Sequence, residues 1–200
     1  MGCLSVQPCR MWLAAVVATT ALPALGDESE APEIRPVLVV MDVQNTWLPR
    51  MSEEDRASAP TMINEAIALF REFGHPVIRV YHSDPERGPE VDTEPFEFLE
   101  SIAVTDNDLR VVKADPSAFT RTKLEDVLRE DDRSVVFLCG LSATGCVLAT
   151  YYGALDRDLM ALMVKGALLS GNASYTAAVE DFSYSMTVDE MRETLQGSDD

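Results

Sequence analysis

The run Pro36-Val37-Leu38-Val39-Val40-Met41-Asp42-Val43-Gln44-Asn45 decides the fold class of this 200-residue chain. Its first six residues are all apolar, three of them are β-branched valines, and the run ends at a carboxylate. An uninterrupted apolar run of this length is typical of a strand buried on both faces of a parallel sheet, whereas a half-exposed strand would alternate apolar and polar residues. We therefore interpret 36–41 as a central strand of an α/β domain.

Strand-like and helix-like patterns alternate along the rest of the chain. Further strands are predicted at 76–81, 110–113, 134–140, 159–164 and 185–188, and helical spacing covers 61–73, 124–128, 144–155 and 175–182. This alternation predicts βαβ units, and thus an α/β fold with a mostly parallel sheet and helices on both faces. Residues 83–110 are acidic and contain several prolines, so apart from a short helix expected at 96–102 we interpret them as a loop region that could cover a site.

The charge balance and the missing phosphate-binding loops restrict the partners. The chain has 34 acidic and 16 basic residues, a formal charge of -18, and such a surface repels nucleic acid and anionic membranes. Asp42-Val43-Gln44-Asn45 stands where a glycine-rich dinucleotide loop would follow the first strand, and no Gly-Lys-Ser/Thr loop occurs. We therefore expect a small-molecule substrate, no nucleic acid partner, no membrane partner and no cofactor.

The first 26 residues differ from the rest of the chain. Arg10 is their one charged residue, and the apolar run 11–25 leads to the small residues of Ala24-Leu25-Gly26. This pattern predicts a secretory signal peptide at 1–26, a polar linker at 27–35 and a domain at 36–195, with export to the periplasm or the medium. An uncleaved anchor, or a start codon upstream of a cytosolic protein, is the alternative. Cys3 and Cys9 would leave with the leader.

Three reactive side chains follow predicted strands. Asp42 ends the first strand, Lys113 ends the third and Cys146 comes just after the fourth. Ligands of open parallel sheets bind beyond the carboxyl ends of the strands, where the strand order reverses. In the doubly wound order 3-2-1-4-5-6, Asp42 and Cys146 should face each other, whereas Lys113 starts two strands away and its reach stays open.

These residue types suit nucleophilic catalysis. A thiolate is the reactive form of cysteine, and the first turn of the helix predicted around Cys146 favours an anion. A nearby lysine would lower the pKa of the thiol, an aspartate could take up its proton, and the tight turn 140–145 offers backbone N–H groups for an oxyanion. Each residue also has a plain structural interpretation, as a buried thiol, a turn carboxylate and a solvated ammonium.

Three motifs in this order resemble the isochorismatase-like hydrolases. They are Val37–Asn45 with its Asp-x-Gln segment, Val111-Val112-Lys113 followed by Ser117-Ala118-Phe119, and Val135–Gly140 followed by Cys146-Val147 and Thr150. The resemblance implies a three-layer Rossmann-like fold with a six-stranded sheet, and a catalytic triad of Asp42, Lys113 and Cys146. It also implies a cis peptide at Leu141-Ser142, and because family members that split an ether lack the cysteine, it favours the amidase-type branch.

The reaction expected from the resemblance is hydrolysis of a small, non-peptide amide. Cys146 attacks through a thioester-like intermediate, Asp42 is the general base and later the acid, and Lys113 stabilises the thiolate. Backbone groups near Ser142 and Cys146 form the oxyanion hole. Since relatives commonly form dimers or tetramers, a homo-oligomer is a further expectation. Candidate pocket walls, which could equally belong to the core, are Trp47, Phe119 and Tyr151.

One departure from the family pattern bears on metal binding. Nicotinamidases of this superfamily carry Asp-x-His-x-x-His after the second strand, where this chain has Tyr81-His82-Ser83-Asp84-Pro85. We therefore expect no metal site, and we interpret His82 as a structural or pocket-lining residue. Two alternative functions stay open: a thiol redox protein that uses Cys139 and Cys146, and a non-catalytic binding module that keeps only the fold.

Overall fold

Six strands form one sheet in the computed structural model, which describes residues 34–86 and 88–196. The strand order is β3-β2-β1-β4-β5-β6, and every neighbouring pair is parallel. The predicted order 3-2-1-4-5-6 is thereby confirmed. The strands are β1 Pro36–Met41, β2 Val77–His82, β3 Leu109–Lys113, β4 Val135–Leu141, β5 Met160–Leu169 and β6 Ser185–Met186.

Helical segments connect the strands and cover the sheet. The helices are α1 Glu53–Glu72, α2 Leu124–Glu130, α3 Leu148–Leu155, α4 Ala173–Phe182 and α5 Val188–Gln196. A short 3₁₀ turn spans Leu48–Arg50, and a π-helical turn spans Ala143–Val147 directly before α3. None of the helices in the described part of the chain is long and apolar enough to cross a membrane. The predicted signal peptide lies outside the described residues.

The two faces of the sheet carry separate apolar cores. Leu38 and Val40 of β1 belong to one buried cluster, with α1 residues such as Ile63 and Phe70. Val37, Val39 and Met41 belong to the other cluster. Successive side chains of a strand point to opposite faces, so a strand that is covered on both sides must be apolar at every position. This is the physical origin of the uninterrupted apolar run at 36–41.

Two helices differ from the sequence prediction, α1 in where it begins and α5 in its presence. Helix α1 begins at Glu53 rather than at 61, because Ser52 caps it: the Asp55 N–H donates to Ser52 Oγ at 3.1 Å. Its first turns are polar, so apolar spacing did not reveal them. Helix α5 was not predicted. It places Val188, Met191 and Leu195 in the core, one to two turns apart along its buried side.

The segment after β2 is irregular rather than partly helical. The short helix expected at 96–102 does not form, and this stretch consists of turns with an isolated antiparallel bridge between Gln44 and Phe98. Phe96 and Phe98 are buried against the Tyr81 ring, with centroid distances of 4.7 and 4.6 Å. Aromatic contacts with the sheet therefore set the conformation of this segment in place of helical hydrogen bonds.

Candidate active site

Asp42 directly follows β1 and turns away from the strand direction. Its backbone is in the left-handed region at φ 54°, which aspartate tolerates better than most residues, and its N–H donates to Val80 O at 2.9 Å. The residue is only 2% exposed. The turn therefore holds a carboxylate inside the protein at the carboxyl edge of the sheet.

Lys113 reaches Asp42 from two strands away. It pairs with His82 in the β2–β3 register, its side chain is fully buried, and its Nζ lies 2.8 Å from Asp42 Oδ2 and 3.1 Å from His82 Nδ1. A buried ammonium is stable only with such partners. The structure thus places the Lys113 side chain across β2 and brings two of the sequence-predicted site residues into contact.

Cys146 completes this group from the other side of the switch point. It lies in the π-helical turn after β4, and its Sγ, a carboxylate oxygen of Asp42 and a ring nitrogen of His82 all lie within 4.8 Å of one another. The Leu141-Ser142 peptide before this turn is cis, as the resemblance implied. All three predicted triad residues therefore meet at one point.

Gly140 allows the turn to approach β1. It pairs with Met41 in the β1–β4 register and has φ 108°, and a Cβ at this position would lie 2.1 Å from Met41 O. A side chain would clash with that carbonyl and would also strain the backbone. A glycine is required here because β1, which leads to Asp42, and β4, which leads to Cys146, approach each other so closely.

The proton affinities of the group follow from burial and from mutual charge. Burial, and then the charge of Asp42, raise the pKa of Cys146 to about 11 against the opposing effect of Lys113. Burial also raises the pKa of Asp42, again against the attraction of Lys113. Cys146 therefore rests as a thiol at neutral pH, which differs from the thiolate expected from the lysine and the helix alone. The raised pKa of Asp42 makes this carboxylate a stronger base than an exposed aspartate.

His82 was anticipated only as a structural or pocket-lining residue, and it does line the cavity. Burial, and then the charge of Lys113, lower its pKa, so the ring is neutral at pH 7 and Nδ1 can accept a hydrogen bond from Lys113. Gln44 holds the His82 backbone, accepting from its N–H at 2.9 Å and donating to its carbonyl at 3.1 Å. The reasoning that selected Asp42 and Lys113, polar residues that end parallel strands, selects His82 as well.

The atoms of Asp42, His82 and Cys146 are close enough to be considered as metal ligands. However, the Lys113 ammonium is within 3.1 Å of a potential ligand atom of both Asp42 and His82. A divalent cation would have to displace a buried, paired positive charge or lie beside it. The residues therefore do not fit a metal centre.

A cavity of about 250 Å³ opens onto this group. Its walls are mostly apolar, and besides Asp42 and Cys146 they are formed by Trp47, Arg50, Met51, His82, Leu141 and Ser142. This volume is at the small end of ligand sites, so it suits a small substrate. Within the described ranges, no residue between 83 and 108 lines it, so the 47–51 segment, and not the loop region that we expected to cover a site, contributes to its walls.

Two of the three candidate pocket walls lie elsewhere. Trp47 lines the cavity, but Phe119 and Tyr151 are buried in the apolar cluster on the other side of β1 from Leu38. The Phe119 ring lies 4.8 Å from the Arg157 guanidinium carbon, and Tyr151 OH accepts from Tyr184 N–H at 3.1 Å. Phe119 follows Lys113 in the sequence and Tyr151 follows Cys146. Both side chains, however, lie on the sides of their turn and helix that face the core. Arg50 and Met51 were missed because a 3₁₀ turn, which has no periodic signature, carries them to the cavity.

The fold and the cavity define the class of protein: a three-layer α/β protein with a ligand cavity at the topological switch point of its sheet. The chain belongs to the isochorismatase family, because the family model described as "Isochorismatase domain" matches residues 36–191.

Known proteins agree with this assignment. An uncharacterised isochorismatase family protein, YddQ of Bacillus subtilis strain 168, is 27% identical over 149 residues, which cover 72% of this chain and 81% of that protein. The solved N-carbamoylsarcosine amidase of Thermoplasma acidophilum is 25% identical, with a TM-score of 0.68 over 78% of this chain and 98% of its own. A cysteine hydrolase of Pseudomonas syringae pv. phaseolicola 1448A shares the fold, with 18% identity and a TM-score of 0.69 over 82% and 93% of the two chains.

Proposed function

We propose that the protein is a cysteine-dependent hydrolase of a small, non-peptide amide, with Cys146 as nucleophile, Asp42 as general base and Lys113 as the charge that stabilises the thiolate. The observation that carries the proposal is the buried 2.8 Å contact between Lys113 Nζ and Asp42 Oδ2 beside the Cys146 sulfur, at the floor of a cavity. The two solved relatives named an amidase and a cysteine hydrolase support it.

The first half-reaction forms an acyl-enzyme. The Cys146 proton moves to Asp42, and the sulfur attacks the carbonyl carbon of the amide. The carbonyl oxygen becomes an oxyanion, to which we assign the backbone N–H groups of Ser142 and Cys146. The neighbouring Gly145 and Val147 N–H groups already donate to the Ser142 carbonyl, at 2.9 and 3.2 Å. The C–N bond then breaks, Asp42 returns the proton to the leaving nitrogen, and ammonia or an amine departs.

The second half-reaction releases the acid. Asp42 takes a proton from water, the hydroxide attacks the thioester carbon, and the C–S bond breaks to give a carboxylic acid and a protonated Cys146. The contacts of Lys113 with Asp42 and His82 hold its Nζ beside the sulfur through both half-reactions. The raised pKa values of both Asp42 and Cys146 favour a single shared proton in place of a permanent thiolate.

The position of Cys139 weighs against the redox alternative. Cys139 is fully buried in β4 among the cluster that contains Leu38, whereas Cys146 packs against the cluster on the opposite face. Both thiols are free, and the Cys139 sulfur contacts Val39 O at 3.8 Å. Burial alone raises the pKa of Cys139, which makes it a poor partner for thiol exchange.

A panel of small amides assayed for released ammonia tests the proposal. Cys146→Ala should abolish turnover with an unchanged circular dichroism spectrum, and mass spectrometry of the wild-type enzyme during turnover should detect an acyl adduct on Cys146. Cys139→Ala is the matched control: we expect it to retain turnover and to lose about 1 kcal/mol of stability from the vacated volume. Turnover by Cys146→Ala, or dependence on both thiols, would contradict the mechanism.

A further inference from the structure

The cavity has a cation at its outer side. Arg50, in the 3₁₀ turn, lines the cavity and is exposed, whereas Asp42 at the floor is 2% exposed. The charge of Asp42 is paired with Lys113 at 2.8 Å, so these two residues largely cancel. Arg50 is therefore the lining residue whose positive charge faces an incoming ligand.

The guanidinium of Arg50 has no carboxylate partner among the described residues. Other arginines, such as Arg121 and Arg192, have a carboxylate oxygen within 2.9 Å. Most arginines in the described part of the chain form such ion pairs; Arg50 and Arg56 do not, and of these two Arg50 lines the cavity. The site thus has an anion-binding group that no anion of the described protein satisfies.

Trp47 fixes the position of this cation. The guanidinium carbon of Arg50 lies 5.0 Å from the centroid of the Trp47 ring. The backbone N–H of Arg50 also donates to the backbone carbonyl of Trp47 at 3.0 Å within the turn. Stacking on an aromatic face restricts the side chain while leaving the N–H edges of the guanidinium available. A planar guanidinium presented in this way matches the two oxygens of a carboxylate.

From this arrangement we infer that Arg50 is a subsite for a substrate carboxylate, and that the preferred substrates are short carboxylic acids with an amide at the other end. The inference rests on the proposed function. The amide carbon would lie at Cys146 Sγ and the carboxylate at Arg50. The apolar walls of Trp47, Met51 and Leu141 would surround the short carbon chain between them. The cavity of about 250 Å³ restricts that chain to a few carbons.

Matched substrates test the subsite. Malonamate, succinamate and glutaramate would be compared with uncharged alkyl amides of the same length. We expect wild-type enzyme to prefer one of the acids, and Arg50→Ala to lower kcat/KM for that acid about 10- to 100-fold, mainly through KM. In the same variant, the loss of kcat/KM on the uncharged amide should be at least tenfold smaller. Arg50→Lys should recover part of the kcat/KM that Arg50→Ala loses on the acid. Arg192→Ala, which removes a distant surface charge, is the control and should change neither substrate.

A binding readout separates this inference from the catalytic proposal. Succinate should protect Cys146 from iodoacetamide in the wild-type enzyme and not in Arg50→Ala, measured by mass spectrometry of the Cys146 peptide. Absence of protection in the wild type, or equal losses of kcat/KM on charged and uncharged amides in Arg50→Ala, would overturn the subsite while leaving amide hydrolysis through Cys146 intact. Protection by succinate without any amide turnover would uphold the subsite and contradict the proposed reaction.

Discussion

The ammonium nitrogen of Lys113 lies 3.1 Å from Nδ1 of His82, on the neighbouring strand. Together with the 2.8 Å contact to Asp42, this bond holds the lysine head between two strands and beside Cys146. An imidazole that accepts at Nδ1 carries its proton on Nε2, so the contact also sets the tautomer of the ring. His82 is thus a positioning residue for Lys113.

Replacing His82 should misplace the lysine. We expect His82→Leu to lower kcat/KM about 10- to 100-fold, since a hydrogen bond to a buried ammonium is lost, and His82→Asn to recover part of this because its carbonyl can accept. The pH profile of kcat/KM distinguishes a positioning role of His82 from a merely structural one. For a positioning role, we expect the acidic limb of the profile to change in both His82→Leu and His82→Asn. His75→Leu is the control and should leave the profile unaltered.

The lowered pKa of His82 also predicts how stability depends on pH. Burial keeps the folded-state pKa below the ordinary value of 6.5, so an unfolded chain gains a proton before the folded one does. The contribution of this group is therefore present above about pH 6.5 and lost as the pH falls below it. Thermal unfolding should show a larger fall in Tm between pH 7 and pH 5 for the wild type than for His82→Asn. An equal fall would contradict a neutral His82.

Removing the Asp42 charge should abolish turnover and, at the same time, make the Cys146 thiol more acidic. Asp42 raises the pKa of Cys146, so Asp42→Asn leaves Lys113 as its charged neighbour and the pKa should fall below about 11. Turnover should be lost, because no base remains. The pH dependence of Cys146 alkylation by iodoacetamide, followed on its peptide, measures the shift. A thiol pKa that stays or rises in this variant would place Asp42 outside the electrostatic reach of Cys146.

The ion pair between Asp42 and Lys113 should be strongly coupled. Lys113→Met leaves a buried carboxylate without its partner, which costs about 3–5 kcal/mol of the free energy of unfolding. The raised pKa of Asp42 should rise further, so protonation relieves the loss at low pH, and the variant should be less destabilised at pH 5 than at pH 8. Denaturant unfolding of both single variants and of Asp42→Asn/Lys113→Met measures the coupling. Additive losses in the double variant would show that the pair is not coupled.

The close approach of Gly140 to β1 gives a structural prediction with an internal control. Gly140→Ala would place its Cβ 2.1 Å from Met41 O, so we expect a loss of about 3 kcal/mol or more together with most of the activity. Gly74 also has a positive φ, 68°, but a Cβ there would have nothing within 4 Å. Gly74→Ala should therefore cost only about 1–2 kcal/mol and leave kcat unchanged. Similar stability losses in the two variants would contradict the steric argument.

The central part of the fold could be predicted because its signals are local. The apolar run 36–41 must be covered on both faces, and a reactive residue after each of three strands indicated the carboxyl edge of the sheet. Helix α5 and the first turns of α1 were missed because polar residues hide their periodicity. The segment 96–102 was assigned a helix because the sequence does not display its contacts with Tyr81.

What the sequence by itself determined is the layered sheet and the three side chains that end its strands, since both depend on residue type and spacing along the chain. The tertiary structure alone decided that Lys113 crosses β2, that His82 receives its hydrogen bond, and that Arg50 rather than Phe119 or Tyr151 borders the cavity. Those relationships depend on distances between residues far apart in the chain and on which way each side chain points. Packing of the complete domain sets both.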